Sequence, residues 1–317
     1  METYESIKQW KDCNISSHIE NNFSLNKFHD QVMLKVLEVA KGKMNHSPPC
    51  EFSWFITGSG GRLEQGLISD QDHGIIYENS SLENDSYFKA LGEELCFGLD
   101  FVGYPYCKGQ IMPSNSLWCK SFAQWEKQIM DWLEDESWEA IRYLQIFFDA
   151  RVLHGNSSYV YDLKSIIFQY ERNHSNLLIR FVANMKHARN VIGPMGQIIV
   201  EQHGIYQGHV NLKYAAFTPY VNSIRFLSIK EGIYESSTLE RIARLNQLEE
   251  YKLLLHNSER NFQKLIHYRN MLIEALDYEN SHYLKINNLS KEQRKEIKAI
   301  LKDGKKIHEK VISSIIN

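Results

Sequence analysis

A run of aromatic and β-branched residues, Phe52-Ser53-Trp54-Phe55-Ile56-Thr57, stops at Gly58-Ser59-Gly60-Gly61, and a second apolar run, His73-Gly74-Ile75-Ile76-Tyr77, follows. This strand–glycine turn–strand pattern constrains the chain more than any other feature, because it sets a sheet near its front. His46-Ser47-Pro48-Pro49 breaks the chain ahead of the first strand, since proline disfavours helix in the residue before it. Gly58, Gly60 and Gly61 allow a sharp turn and close approach to a ligand. Arg62 to Leu67 is expected to form a short helical segment, and amides at such a helix start form an anion site suited to nucleotide phosphates. The Ser59 hydroxyl adds a donor. Asp70 and Asp72 are two apart in an extended segment, so both carboxylates project from one face. Such a pair repels itself unless a cation lies between, and Mg2+, or Mn2+ in its place, shares oxygen ligands with phosphates. Alone, either element reads as a glycine-rich hairpin or a pair of solvated aspartates. Together, eleven residues apart between two strands and with Arg62 and Glu64 beside them, they read as a site.

The surroundings are helical. Residues 1–50 form an N-terminal helical segment with an apolar face from Phe28, Val32, Leu34, Val36, Leu37 and Val39, stopped at Lys41-Gly42-Lys43. Tyr87 to Leu99 reads as a helix, Phe101 to Met112 as a strand interrupted at Pro105, and Trp118 to Leu133 and Trp138 to Leu153 as helices. Beyond residue 160 strand signals fade, and Ser165–Gln169, Leu177–Val191, Pro219–Lys230, Thr238–Leu255, Glu259–Leu276 and Lys291–Ile315 repeat apolar residues at helical spacing. The expected fold class is α+β. A small mixed sheet flanked by helices spans 51–158, and an all-α bundle spans 159–317, packed across a cleft.

Composition narrows the class. A net charge of −3 gives no bulk reason for nucleic acid or an anionic membrane as partner. No apolar run is long enough to span a membrane, and the start, Met1-Glu2-Thr3-Tyr4-Glu5, is acidic, so the expected location is cytoplasmic. The five cysteines, Cys13, Cys50, Cys96, Cys107 and Cys119, show no Cys-x-x-Cys spacing and read as reduced thiols packed as small hydrophobes. The 13 histidines form no His-x-His or His-x-x-x-His pair, so no dedicated histidine metal site is expected.

Gly58-Ser59-x-x-Arg62-x-Glu64-Gln65-x-Leu67-x-x-Asp70-Gln71-Asp72 resembles the signature of the DNA polymerase β-type nucleotidyltransferases. More closely it is similar to the catalytic region of PII-protein uridylyltransferases, and closest to a nucleotidyltransferase family often fused to CBS domains in bacterial signalling proteins. Further blocks, Gly103 to Met112 with Trp118-Cys119, Ile146 to Gly155, Asn211-Leu212-Lys213 and Ser237-Thr238-x-Glu240-Arg241, extend the resemblance over nearly the whole chain from about residue 25; no CBS pair is read in it. The resemblance implies that Gly58 and Ser59 hold the β- and γ-phosphates and that Asp70 and Asp72 are catalytic and bind magnesium. Arg62, Glu64 and Gln65 match the motif; Arg62 and Glu64 either touch nucleotide or brace the loop as an ion pair. The superfamily places a third carboxylate on a following strand, whereas Gly103 to Ser114 holds no Asp or Glu; Asp100 and Asp149 are the candidates to replace it. The implied activity is transfer of a nucleoside monophosphate from a Mg-bound triphosphate to a hydroxyl, as on a regulatory protein. The alternative is a catalytically weak nucleotide-binding regulator in signal transduction. The base, the acceptor and the oligomeric state stay open.

Secondary candidates have plainer readings beside them. Asp149-Ala150-Arg151 on an apolar helix reads as a buried ion pair tying the domains together, or as groups acting directly at the metal or nucleotide. Lys213 binds a phosphate or is a surface lysine. Lys186, His187 and Arg189 line the cleft or a solvated helix face. The basic C-terminal run from Lys291 to Lys310 carries an apolar stripe, so it is a terminal helix with a charged outer face before it is a nucleic-acid surface. Trp118, Trp125, Trp132 and Trp138 read as core rather than as a base-stacking platform.

Overall fold

The structure is a computed structural model describing residues 2–135, 137–174, 176–185, 189–273 and 277–316. It divides into two compact units, Met1–Tyr170 and Glu171–Asn317.

The first unit opens with α1 (Tyr4–Asn14), started by a capping box between Thr3 and Ser6, and α2 (Asn22–Lys43), capped by Asn21. Next come β1 (Phe52–Ile56), the short turn α3 (Gly58–Gly61), β2 (His73–Tyr77) and α4 (Leu82–Val102). Then follow β3 (Cys119–Ser121), α5 (Phe122–Asp135), α6 (Trp138–Phe148), β4 (Arg151–Gly155) and α7 (Ser158–Asn173), the last running across the unit boundary. The strands order as β3-β2-β1-β4, with β2–β3 parallel and the other pairs antiparallel. Both central strands are buried on both faces, so period-two alternation sends side chains into two separate cores. Phe52, Trp54, Ile56, Ile75 and Tyr77 pack with residues of α1, α2 and α4, including Phe28, Val32, Leu91 and Leu95. On the other face Phe55 meets Trp118, Trp125 and Phe147, with ring centroids 5.7 to 6.5 Å apart. Trp132 is also buried, whereas Trp138 at the start of α6 is 57% exposed, so three of the four tryptophans are core.

Several expectations are corrected here. The short helix is not Arg62 to Leu67 but the glycines themselves; Leu63 at φ 58° breaks it. Phe101 to Met112 is not a strand: α4 runs to Val102 and Gly103, at φ 103°, caps it in the left-handed region. The loop beyond still joins the sheet's edge in part, since the amides of Gln71 and His73 donate to Pro105 O and Ile111 O. The two expected helices from Trp118 and Trp138 are shorter, because Cys119–Ser121 and Arg151–Gly155 are strands.

The second unit is mainly helical: α8 (Asn176–Met185), α9 (Thr218–Lys230), α10 (Thr238–Leu245), α11 (Glu249–Leu255), α12 (Ser258–Leu272) and α13 (Lys291–Ile316). It also holds a small antiparallel pair that the sequence reading omitted, β5 (His209–Asn211) with β6 (Tyr283–Lys285). The stripe Ile297, Ile300, Leu301, Ile307 and Val311 of α13 is buried, as its spacing requires. Among the described residues, no helix is long and apolar enough to cross a membrane.

Candidate functional site

The phase of Asp70-Gln71-Asp72 is set from inside the core. Trp54 Nε1–H donates to His73 Nδ1 at 2.9 Å, so His73 carries its proton on Nε2 and donates to Gln71 Oε1 at 3.0 Å. Gln71 Nε2 in turn donates to Cys96 O and Tyr104 O, at 3.0 and 2.9 Å. Burial pushes His73 down to about 3, which keeps the ring neutral in this relay. With Gln71 anchored inward, both neighbours project the other way. Asp70 and Asp72 are half-buried, and an oxygen of each lies within 4.8 Å of the other and of Cys107 Sγ. The Cys107 thiol is pushed up to about 12, first by burial and then by the charge of Asp72, to which it is hydrogen-bonded.

The glycine turn stands against these acids. The Thr57 amide donates to Asp72 O at 2.8 Å, and Gly58 follows at φ 56°. An ideal Cβ on Gly58 would come 2.2 Å from Asp72 Oδ2, so only glycine lets the chain pass so close to the carboxylate. Ser59 is next to it, half-buried, with its carbonyl accepting from the Glu64 amide at 2.8 Å. The opening amides of a helical turn have no partner within it, and Thr57 does not cap them: its hydroxyl donates to Ile146 O instead. At Gly61 a Cβ would come 2.1 Å from Asp149 O, which fixes the far side of the turn against the end of α6.

Arg62, Glu64 and Asp149 form one ion network. Arg62 Nε donates to Glu64 at 2.8 Å and Nη1 to Asp149 at 2.7 Å, with both carboxylates almost wholly buried. Burial opposes the guanidinium's charge, but Glu64 and then Asp149 outweigh it and raise Arg62 above its ordinary value. The ion pair that one of the two readings of Arg62 and Glu64 expects is present. Asp149 therefore faces Arg62 within the first unit, and Asp100 is exposed on α4. Among the described residues, the group gathered at the acids is completed by Cys107 and by neither of these carboxylates. Gln65 is buried, its Nε2 donating to Ser69 Oγ at 3.2 Å, beside Gly60.

Sequence reasoning missed the support that α2 gives this loop. Asn22 Nδ2 donates to Leu63 O at 2.9 Å, and Asn26 Oδ1 accepts from the Gln65 amide at 2.9 Å. His29 Nε2 donates to Gly66 O at 2.9 Å while its Nδ1 accepts from the Tyr104 hydroxyl at 2.8 Å. Arg151 of β4 grips Asp30 with two bonds, at 2.8 and 3.1 Å, and reaches Gly60 O at 3.2 Å. The signal was present: Asn22, Asn26, His29 and Asp30 recur at helical spacing on an otherwise buried face. Cys107 had no signal of its own beyond its place in a matched block.

In the second unit, Lys213 sits on a π-helical turn, Lys213–Phe217, with its ammonium 5.5 Å from the Tyr278 ring centre. Arg189 pairs with Glu201, while Lys186 and His187 lie outside the described residues.

Residues 17–139 match the family described as "Putative nucleotidyltransferase DUF294". Residues 175–315 match the one described as "Putative nucleotidyltransferase substrate binding domain". No curated protein matches the chain.

Proposed function

The chain belongs to the nucleotidyltransferase family that joins these two domains, and from that premise we propose that it transfers a nucleoside monophosphate to a hydroxyl acceptor from the site at Gly58-Ser59 and Asp70/Asp72. The observation that carries the reading is the meeting of the glycine turn with both carboxylates: Gly58 lies against Asp72, and Asp72 lies within 4.8 Å of Asp70.

Two half-buried carboxylates facing one another fit a hard divalent ion of the Mg2+ or Mn2+ kind. When bound, such an ion neutralises charge on the phosphates and on the attacking oxygen. The protein does the rest. The opening amides of α3 and the Ser59 hydroxyl hold the β- and γ-phosphates; the Arg62–Glu64–Asp149 network and the α2 contacts keep that turn rigid. The acceptor oxygen forms its bond to the α-phosphorus as the bond to pyrophosphate breaks, and the hydroxyl proton passes to water. The second unit supplies substrate recognition, with Lys213 a candidate phosphate contact. A hydroxyl on a regulatory protein is the acceptor that the resemblance favours.

A second reading has one observation in its favour. The third group at the acids is a thiol where the superfamily has a carboxylate, which suits a nucleotide-binding regulator with weak catalysis. Incubation with each labelled triphosphate, Mg2+ and host-cell lysate separates them. Transfer that Asp70→Asn and Asp72→Asn each abolish supports the enzyme. Tight binding without transfer supports the regulator, and no binding of any nucleotide removes both.

A further inference from the structure

Cys107 does not sit in this site as a packed hydrophobe. Its sulfur lies within 4.8 Å of an oxygen of Asp70 and of Asp72, and it is hydrogen-bonded to Asp72. The loop that carries it is pinned on both sides of the cysteine. Gln71 N–H donates to Pro105 O at 3.1 Å before it, His73 N–H donates to Ile111 O at 3.0 Å after it, and Gln110 N–H donates to Cys107 O at 3.0 Å. The amides that hold the loop thus belong to the residues flanking the two aspartates, so thiol and carboxylates keep their mutual positions. Independently of that geometry, family membership calls for a divalent ion here.

The geometry points to Cys107 as a third protein ligand, beside Asp70 and Asp72, for a divalent ion of the zinc class that enters this site. The inference rests on the proposed metal-dependent site and specifies its chemistry. Two hard oxygen donors with one sulfur form a mixed set. Mg2+ uses only the oxygens. An ion of the zinc class takes the sulfur as well. As the metal–sulfur bond forms, the thiol's S–H bond breaks and its proton leaves for water; no oxidant or reductant takes part. The site therefore binds Zn2+ or Cd2+ more tightly than Mg2+, and such ions compete with the Mg2+ that supports transfer.

The test uses the full chain stripped of metal and titrated with Cd2+ alone, then with Mg2+ alone. Wild type shows a sulfur-to-cadmium charge-transfer band on binding. Cys107→Ser loses the band and weakens Cd2+ binding about tenfold or more, yet keeps its Mg2+ affinity. Asp70→Asn/Asp72→Asn loses both ions. In wild type, Cd2+ also protects Cys107 from alkylation, read by peptide mapping, which needs no variant to fold. A Cys107→Ser protein that keeps full Cd2+ affinity, or a Cys107 alkylated at an unchanged rate, overturns the sulfur ligand and leaves the carboxylate site standing. If wild type binds neither ion, or the double aspartate variant still binds both, the metal site itself falls.

Discussion

At the scale of single residues, the site depends on side chains that never face a substrate. Gln71 is sandwiched between two acids in sequence, and its burial turns both of them outward. The sequence displayed the alternation Asp-Gln-Asp but not what holds Gln71 in, because the Trp54–His73–Gln71 relay is assembled only once β1 and β2 pair, Ile56 opposite His73. Gly58 is the converse case, a residue whose need for a sharp glycine turn was legible. Its φ of 56° and the 2.2 Å approach of a hypothetical Cβ to Asp72 Oδ2 leave room for hydrogen alone. Gly58→Ala is expected to lower stability by about 1–2 kcal/mol from the left-handed backbone. It is also expected to weaken divalent-ion binding about tenfold by displacing Asp72. Urea unfolding and calorimetric titration read the two effects separately; an unchanged ion affinity means that Asp72 swings clear of the new methyl group.

At the scale of elements, β1, β2 and the C-terminal end of α2 could be read almost to the residue, since burial on both faces selects uninterrupted apolar runs and Lys41-Gly42-Lys43 ends a helix. The errors cluster where local pattern and tertiary pairing disagree. Cys119–Ser121 is three residues long and is a strand only through parallel pairing with β2. Arg151–Gly155 continues an apolar helical period, yet antiparallel pairing with β1 takes it, with a bulge opposite Trp54 and Phe55. That strand also delivers Arg151 to Asp30 of α2 and to Gly60 of α3, tying three elements at the glycine turn. Asp30 is 5% exposed, so the pair is worth more than a surface ion pair. Asp30→Asn should cost about 2–3 kcal/mol and slow any transfer without removing an acid from the site. A loss below about 0.5 kcal/mol, the range of ordinary surface changes, would show that α2 does not brace the turn through this pair.

At the scale of the whole molecule, the α+β class and the run of helices beyond about residue 160 followed from periodicity, whereas the β5–β6 pair joins segments over seventy residues apart, beyond any local signal. Stability of the two units shares one dependence that composition alone does not reveal. Burial lowers His73 to about 3 in the first unit and, with Lys213 and Arg269 adding to it, His282 to about 4 in the second; His154 and His308 move the same way. In the unfolded chain each imidazole titrates near 6.5. Below that pH the unfolded state takes up protons that the folded state refuses, so stability falls as pH drops. For His73 the window runs from about 6.5 to about 3, with a slope near 1.4 kcal/mol per pH unit, or about 2 kcal/mol lost by pH 5. Above pH 6.5 the ring is neutral in both states and contributes no slope. Urea midpoints at pH 7 and pH 5 should therefore separate widely in wild type and draw closer in His73→Asn, by close to one proton's worth of slope. What matters is the slope and not the absolute stability, because the variant also loses the bonds to Trp54 and Gln71 and starts lower at every pH. Equal slopes in the two proteins would mean that His73 accepts a proton while folded, and with it that the relay which turns Asp70 and Asp72 toward one another opens at mildly acid pH.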